Sequence, residues 1–225
     1  MPARNLSCAI GAAAIAALAL AGCRPPVRLR IHYLHDFVPG AERIFKPAKI
    51  AIAPVAGPLA NGEIAVGAVY AADGRRDKAL AVSNAGAAFG RALAGAMADA
   101  GLVPIAIDSA PTGGRPRGGA DFLLTAKLEQ FEVNKHFGAA RTVHGQYFTM
   151  RASVRAKIEL RNRGGAMVYA GEVIGTEDEP PAPARHEVFL PLETDPAESL
   201  SAAMSRAVGS IALQPRFRAA FAPAQ

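Results

Sequence analysis

Apolar and polar residues alternate most regularly between Tyr147 and Arg161. Phe148, Met150, Ala152, Val154, Ala156, Ile158 and Leu160 fall in one phase, with Thr149, Arg151, Ser153, Arg155, Lys157, Glu159 and Arg161 in the other. A period of two predicts a long strand with one buried face and one wet, basic face. Asp121 to Val133 predicts a second long strand. Phe122, Leu124, Ala126 and Leu128 share one phase, whereas Phe131 and Val133 take the opposite one, which places a bulge near Gln130. Arg163-Gly164-Gly165 reads as a hairpin turn into a further strand from Met167 to Gly175. Upstream, Val27 to Leu34 predicts an edge strand, Lys49 to Val55 a buried strand, and Leu102 to Ile107 a second core strand. Gly57 to Val82 is rich in Gly, Pro and Asn. It predicts one strand, Ile64 to Tyr70, and a turn at Asp73-Gly74.

The helical period appears twice. Phe89, Leu93, Met97 and Ala100 share one face of a helix that Ser83 would cap and Gly101 would end. Leu200, Met204, Val208 and Ile211 form the stripe of a second helix. Asp195, Pro196 and Glu198 give that helix a capping box with a proline at its first position. Pro215 ends it, and 215–225 is expected to be a frayed tail. The stretch Thr176 to Thr194, opening on Glu177-Asp178-Glu179-Pro180-Pro181, reads as a loop. This order of elements predicts an α+β fold. It is a two-layer sandwich of a mixed, mostly antiparallel sheet with two helices packed on one face.

Composition refines this picture in two places. The 225 residues suit one domain, expected over 35–214, with 51% hydrophobic residues and no Trp, so the core must be built from small aliphatic side chains. The formal charge is +6, but it is spread along the chain with no block longer than Arg75-Arg76. Spread charge of this kind does not point to nucleic acid.

The N-terminus carries the most specific signal. Arg4 precedes an apolar run from Ala9 to Ala21, shorter than the about 20 apolar residues of a membrane span. It ends in Leu20-Ala21-Gly22-Cys23, which resembles the bacterial lipobox. That resemblance implies a signal peptide over 1–22, recognised by the peptidase through Leu20, Ala21 and Gly22. It also implies a thioether-linked diacylglycerol on Cys23 and acylation, palmitate being typical, of the new amino group. Cys8 would leave with the signal peptide, so the mature chain would hold no disulfide. Arg24 follows the cysteine where aspartate favours retention in the inner membrane, so the resemblance points to the outer membrane with the domain facing the periplasm. Residues 23–34 would form the lipidated tether and a possible edge strand, stiffened by Pro25-Pro26.

With the lipobox, four segments carry a resemblance to small outer-membrane lipoproteins. They are Lys49-Ile50-Ala51-Ile52-Ala53-Pro54, Ala65-Val66-Gly67 with Asp73-Gly74-Arg75, the helix running into Ala100-Gly101-Leu102, and Ala120-Asp121-Phe122-Leu123-Leu124 before the long hairpin. The group includes the YajG-type lipoproteins, the periplasmic domain of the curli-secretion lipoprotein CsgG, and the N-terminal domain of TolB. It implies a non-catalytic accessory protein of the envelope, with an envelope protein as its partner.

Candidate chemistry elsewhere is sparse. The histidines are His32, His35, His136, His144 and His186; their spacing suggests no metal site, and His32 and His35 fall on opposite faces of a strand. No Gly-x-Ser-x-Gly elbow occurs, and Ser83, Ser109, Ser199 and Ser201 read as cap, loop or helix-surface residues. Gly113 to Gly119 lacks the Gly-Lys-Ser/Thr of a phosphate loop, and Thr142 to Gln146 reads as a hairpin connection. No catalytic residue and no cofactor is expected beyond the covalent lipid. The one candidate partner-binding group is the row Arg151, Arg155, Lys157 and Arg161, with Lys127 and Glu129 beside it on the neighbouring strand, and its simpler reading is the wet side of a sheet. The expected function is a lipid-anchored envelope accessory or interaction protein. The alternatives are a lipid-binding or ABC-transport auxiliary lipoprotein, favoured by an apolar groove between helices and sheet, and a periplasmic hydrolase.

Overall fold

A computed structural model describes residues 25–35, 45–116, 118–142, 145–179 and 195–221. The signal segment, Cys23, His144, His186 and most of the acidic-proline loop lie outside the described residues.

The described residues form eight strands and three helices. These are β1 (Val27–Leu29), β2 (Lys49–Ile52), β3 (Glu63–Tyr70), β4 (Arg76–Ser83), α1 (Ala85–Asp99), β5 (Val103–Ala106), β6 (Phe122–Thr142), β7 (Gly145–Asn162), β8 (Met167–Glu179), α2 (Pro196–Leu213) and α3 (Pro215–Ala219). All eight strands belong to one mixed sheet built on β6. On one side β6 pairs antiparallel with β7, which pairs antiparallel with β8. On its other side β6 takes two parallel neighbours at different heights: β2 at Phe122 to Leu124 and β3 at Val133 to His136. β5 extends the lower branch, and β4 and β1 extend the upper. The short pairings are mostly parallel and the long ones antiparallel, so the sheet is mixed as the α+β pattern predicts. The phase change between Leu128 and Phe131 is a register shift between Leu128 and Gln130.

Both long helices cover one face of the sheet. α1 buries Phe89, Leu93 and Met97 completely, and α2 buries Leu200, Met204, Val208 and Ile211. α2 meets the buried phase of β7, from Met150 to Leu160, while α1 packs beside α2 over β2, β5 and β6. Each such large apolar side chain contributes about 1.5–3 kcal/mol when removed from water. Small residues let the layers close. At Gly175 in β8 an added Cβ would stand 1.9 Å from the carbonyl oxygen of Ala203, so the backbone of α2 rests directly on the strand.

Several expectations need correction. Ser83 does not cap α1; it is the last residue of β4, and Asn84, in left-handed conformation with φ 55°, turns the chain into the helix. β4 itself is hard to see in sequence, because its first half, Arg76-Asp77-Lys78, is exposed and polar. β5 is an edge strand rather than a core strand: it pairs only with β2, and Val103 is 46% exposed. Thr176 to Glu179, expected as loop, continue β8 against Met150 to Ser153. Asp195 accepts from the Ala197 N–H at 2.9 Å, one residue short of the capping-box position. Pro215 ends α2 but also opens α3, which buries Phe217 against Tyr169, Phe45 and Phe221.

Candidate functional site

The four cations of β7 do share one face, and each meets an acid, three across neighbouring strands and one along β7 itself. Arg151 lies opposite Asp178 and bonds it, Nε to Oδ1, at 2.7 Å. Arg155 reaches diagonally to Glu172 at 3.4 Å. Lys157 turns to Glu129, in the β6 bulge, at 2.9 Å, and Lys127 stands 4.0 Å from the same carboxylate. Arg161 pairs with Glu159 along its own strand at 3.4 Å and donates to the carbonyl of Gly165. The hydrogen bond from Lys157 holds the Glu129 carboxyl below the usual glutamate range, and the same bond raises Lys157. Arg151 is raised by its bond to Asp178. Most of these groups are exposed and the rest partly so, and water and salt screen the pairs. The face is thus a balanced ladder of charges around the half-exposed Ile174, not a cationic patch. The sequence places the cations, Glu129 and Glu159 on this face; Asp178 reads as loop there, and Glu172 shows its partner only once β8 is set beside β7.

A second cluster forms where the chain leaves β1 and crosses the helix layer. The backbone N–H groups of His32 and Leu34 donate to the hydroxyls of Ser201 and Ser205, at 3.2 and 2.8 Å. Both serines lie buried in α2, as does Ser199, so the expectation that Ser199 and Ser201 sit at a cap or on the helix surface does not hold. The Tyr33 hydroxyl donates to Asp99 Oδ2 at 2.9 Å, and His35 Nδ1 lies 3.2 Å from the same oxygen. The Tyr33 ring sits on α1 at Gly95, where a Cβ would come within 2.6 Å of it. Burial pushes the Tyr33 hydroxyl well above its usual range, and the bond to Asp99 adds to this. A catalytic pair would need a nucleophile beside His35 and Asp99, but the group completing the cluster is a tyrosine that donates to the acid. The arrangement is a clasp fastening residues 31–35 to both helices. His32 does not join it through its ring; the strand expected over Val27 to Leu34 ends at Leu29, so neither histidine lies on a strand.

The third feature is a shallow cleft of about 300 Å³ lined by Pro47, Lys49, Val103, Gly119, Asp121 and Arg163. Its carboxylate is engaged on both oxygens. Asp121 Oδ1 accepts from Arg163 at 2.9 Å, and Oδ2 accepts from the backbone N–H of Lys49 at 3.0 Å. Asp121 therefore ties β2 and the β7–β8 turn to the start of β6. Among the described residues no three His, Cys, Asp or Glu side chains gather as a metal site would need. Lys135, on the buried phase of β6, places its ammonium 4.3 Å from the Phe148 ring centroid and 5.2 Å from that of Phe137. The neighbouring aromatic at i+2 is the sequence signal for that cation–π contact.

These features define an α+β sandwich with a self-paired outer face and a clasped N-terminal segment. No family model matches the sequence, and no curated protein matches it. Solved structures to which the chain shows a partial likeness include protein XCC0632 from Xanthomonas campestris, of family DUF330, at 12% identity and TM-score 0.43, covering 84% of this chain and 90% of that one. Lipoprotein GNA1162 from Neisseria meningitidis matches at 14% identity and TM-score 0.32, covering 59% of this chain and 84% of that one. The hypothetical protein CT253 from Chlamydia trachomatis matches at 12% identity and TM-score 0.41, covering 76% and 96%. At identities and scores of this size, the likeness assigns no family.

Proposed function

We propose that the chain is a lipid-anchored, non-catalytic lipoprotein of the bacterial outer membrane whose domain faces the periplasm and contacts another envelope protein, in the manner of the YajG-type group. The carrying observation is the position of the lipobox relative to the fold. Cys23 lies four residues before Val27, the first residue of β1, and the chain beyond β1 is clasped to both helices. An anchor at Cys23 would therefore hold a docked domain close to the bilayer, with several acyl chains making the attachment stable.

The non-catalytic reading is supported by the charged side chains of the outer face and by Tyr33, His35 and Asp99 of the clasp, which bond one another, while Ser201 and Ser205 are engaged by backbone groups. The transport-auxiliary alternative would need an apolar groove between helices and sheet. Among the described residues that interface is filled, with the stripes of α1 and α2 fully buried against the strands. The anchor is tested by Cys23→Ala in cells fed a clickable palmitate. The variant is expected to stay unprocessed and unlabelled, and labelling that survives the change would refute lipidation at this residue.

A further inference from the structure

We infer that the end of the sheet carrying the β3–β4 turn is the surface this domain lays on an anionic bilayer. The inference rests on the anchor proposed at Cys23 and adds an orientation to it. One row of partners crosses the sheet from β1 to β7: Val27 opposite Leu80, Leu80 opposite Gly67, Gly67 opposite Val133, and Val133 opposite Ala152. β1 is parallel to β4, β4 antiparallel to β3, and β3 parallel to β6. Moving upstream from Val27 therefore leads toward Ala79, Ala68 and Asn134, and on toward the β3–β4 turn. A chain covers at most about 3.6 Å per residue, so a lipid on Cys23, four residues upstream, could tether Val27 no farther than roughly 14 Å from the anchored residue. Pro25 and Pro26 favour extended backbone immediately before β1.

The side chains at that end suit a headgroup layer. Arg75, Arg76 and Lys78 are exposed on and beside the turn, next to the strand that carries β1, with Arg75 at 81% side-chain exposure. Asp73 accepts the Arg75 N–H at 2.9 Å, which fixes the turn. Tyr70 stacks on His136 with centroids 4.4 Å apart and planes 5° from parallel, presenting aromatic surface beside the cations. Basic and aromatic side chains are the groups that settle at a bilayer interface. The opposite end of the sheet, with Lys49, Arg115 and Arg163, is basic as well. Charge alone does not choose between the two ends; the exit direction of the chain does. The membrane-facing end is thus set by strand polarity and the cations of the turn reinforce it.

The test uses the full, lipidated protein in vesicles of phosphatidylethanolamine and phosphatidylglycerol. Acylated Cys23 has no free thiol, so a single cysteine can carry an environment-sensitive dye. Ala72→Cys marks the β3–β4 turn, and Thr112→Cys marks the loop at the far end; both positions are exposed. Interfacial spin-labelled lipid is expected to quench the dye at 72 several-fold more than the dye at 112. Equal quenching, or stronger quenching at 112, would overturn the orientation. Reversing Arg75 and Arg76 to Glu is expected to weaken quenching at 72 while the protein stays on the vesicles. Quenching unchanged by that reversal, and unchanged in phosphatidylcholine vesicles, would overturn the headgroup contact. Protein that fails to float with vesicles and carries no palmitate would overturn the anchor, and the orientation with it.

Discussion

Lys157 and Ile158 are neighbours in β7, and they belong to different kinds of structure. Ile158 lies on the phase covered by helices and is wholly buried; Lys157 lies on the phase that meets water and bonds Glu129. The contrast runs the length of the strand. One face is held by packing, which is dense and unforgiving. The other is held by ion pairs that water and salt compete with. The same backbone therefore carries one surface that fixes the fold and one that tolerates change.

The sharpest way to break this comparison is to alter each face in turn. Ile158→Ala should cost about 4 kcal/mol in urea unfolding, from lost burial and the cavity left behind. Gly175→Val comes next, at about 3 kcal/mol, because the new side chain must lift α2 from β8 at Ala203 and Ala207. A buried face indifferent to both changes would mean that the helices do not pack as described. At the clasp, Tyr33→Phe removes one partly buried hydrogen bond and should cost about 1 kcal/mol.

The clasp also has a pH signature. The Tyr33 pKa is raised by folding, so its contribution is complete below the ordinary tyrosine pKa of about 10 and is lost as pH rises beyond it. Absorbance titration should show Tyr33 and Tyr169, both raised by burial, ionising late, and Tyr33→Phe should remove one of those late ionisations while leaving the other. The smallest effect belongs to the outer face. Lys157→Gln should leave the unfolding midpoint within replicate scatter while the Glu129 carboxyl, followed by NMR, titrates at higher pH than in the native chain. Because folding lowers that carboxyl, any contribution from the pair is present above the ordinary glutamate pKa of about 4.3 and is lost as pH falls through its depressed value.

The two faces were also unequally legible in the sequence. Alternation in Tyr147 to Arg161 identified β7 and assigned its phases correctly, because a period of two survives any arrangement of neighbouring strands. The bulge at Gln130 showed as a change of phase for the same reason. What escaped depended on partners far along the chain. β4 begins with Arg76-Asp77-Lys78 and looks like a loop until β3 and β1 flank it. Asp178 looks like part of an acidic loop until Arg151 stands opposite. The clasp gave no signal at all, since a serine on a helix reads as surface until a backbone N–H from 169 residues away comes to meet it.

The brevity of β1 has a mechanical meaning. Traction applied at the N-terminus runs along the axis of β1, so the backbone bonds along its three registered positions share the load in shear. Next in the line of force stand the two serine contacts and Tyr33, and only after them the packed helices. A domain tugged from its N-terminal end would shed β1 first and uncover one edge of β4, while the core stays shut. The first strand of this molecule thus acts as a mechanical fuse between the chain end and the fold.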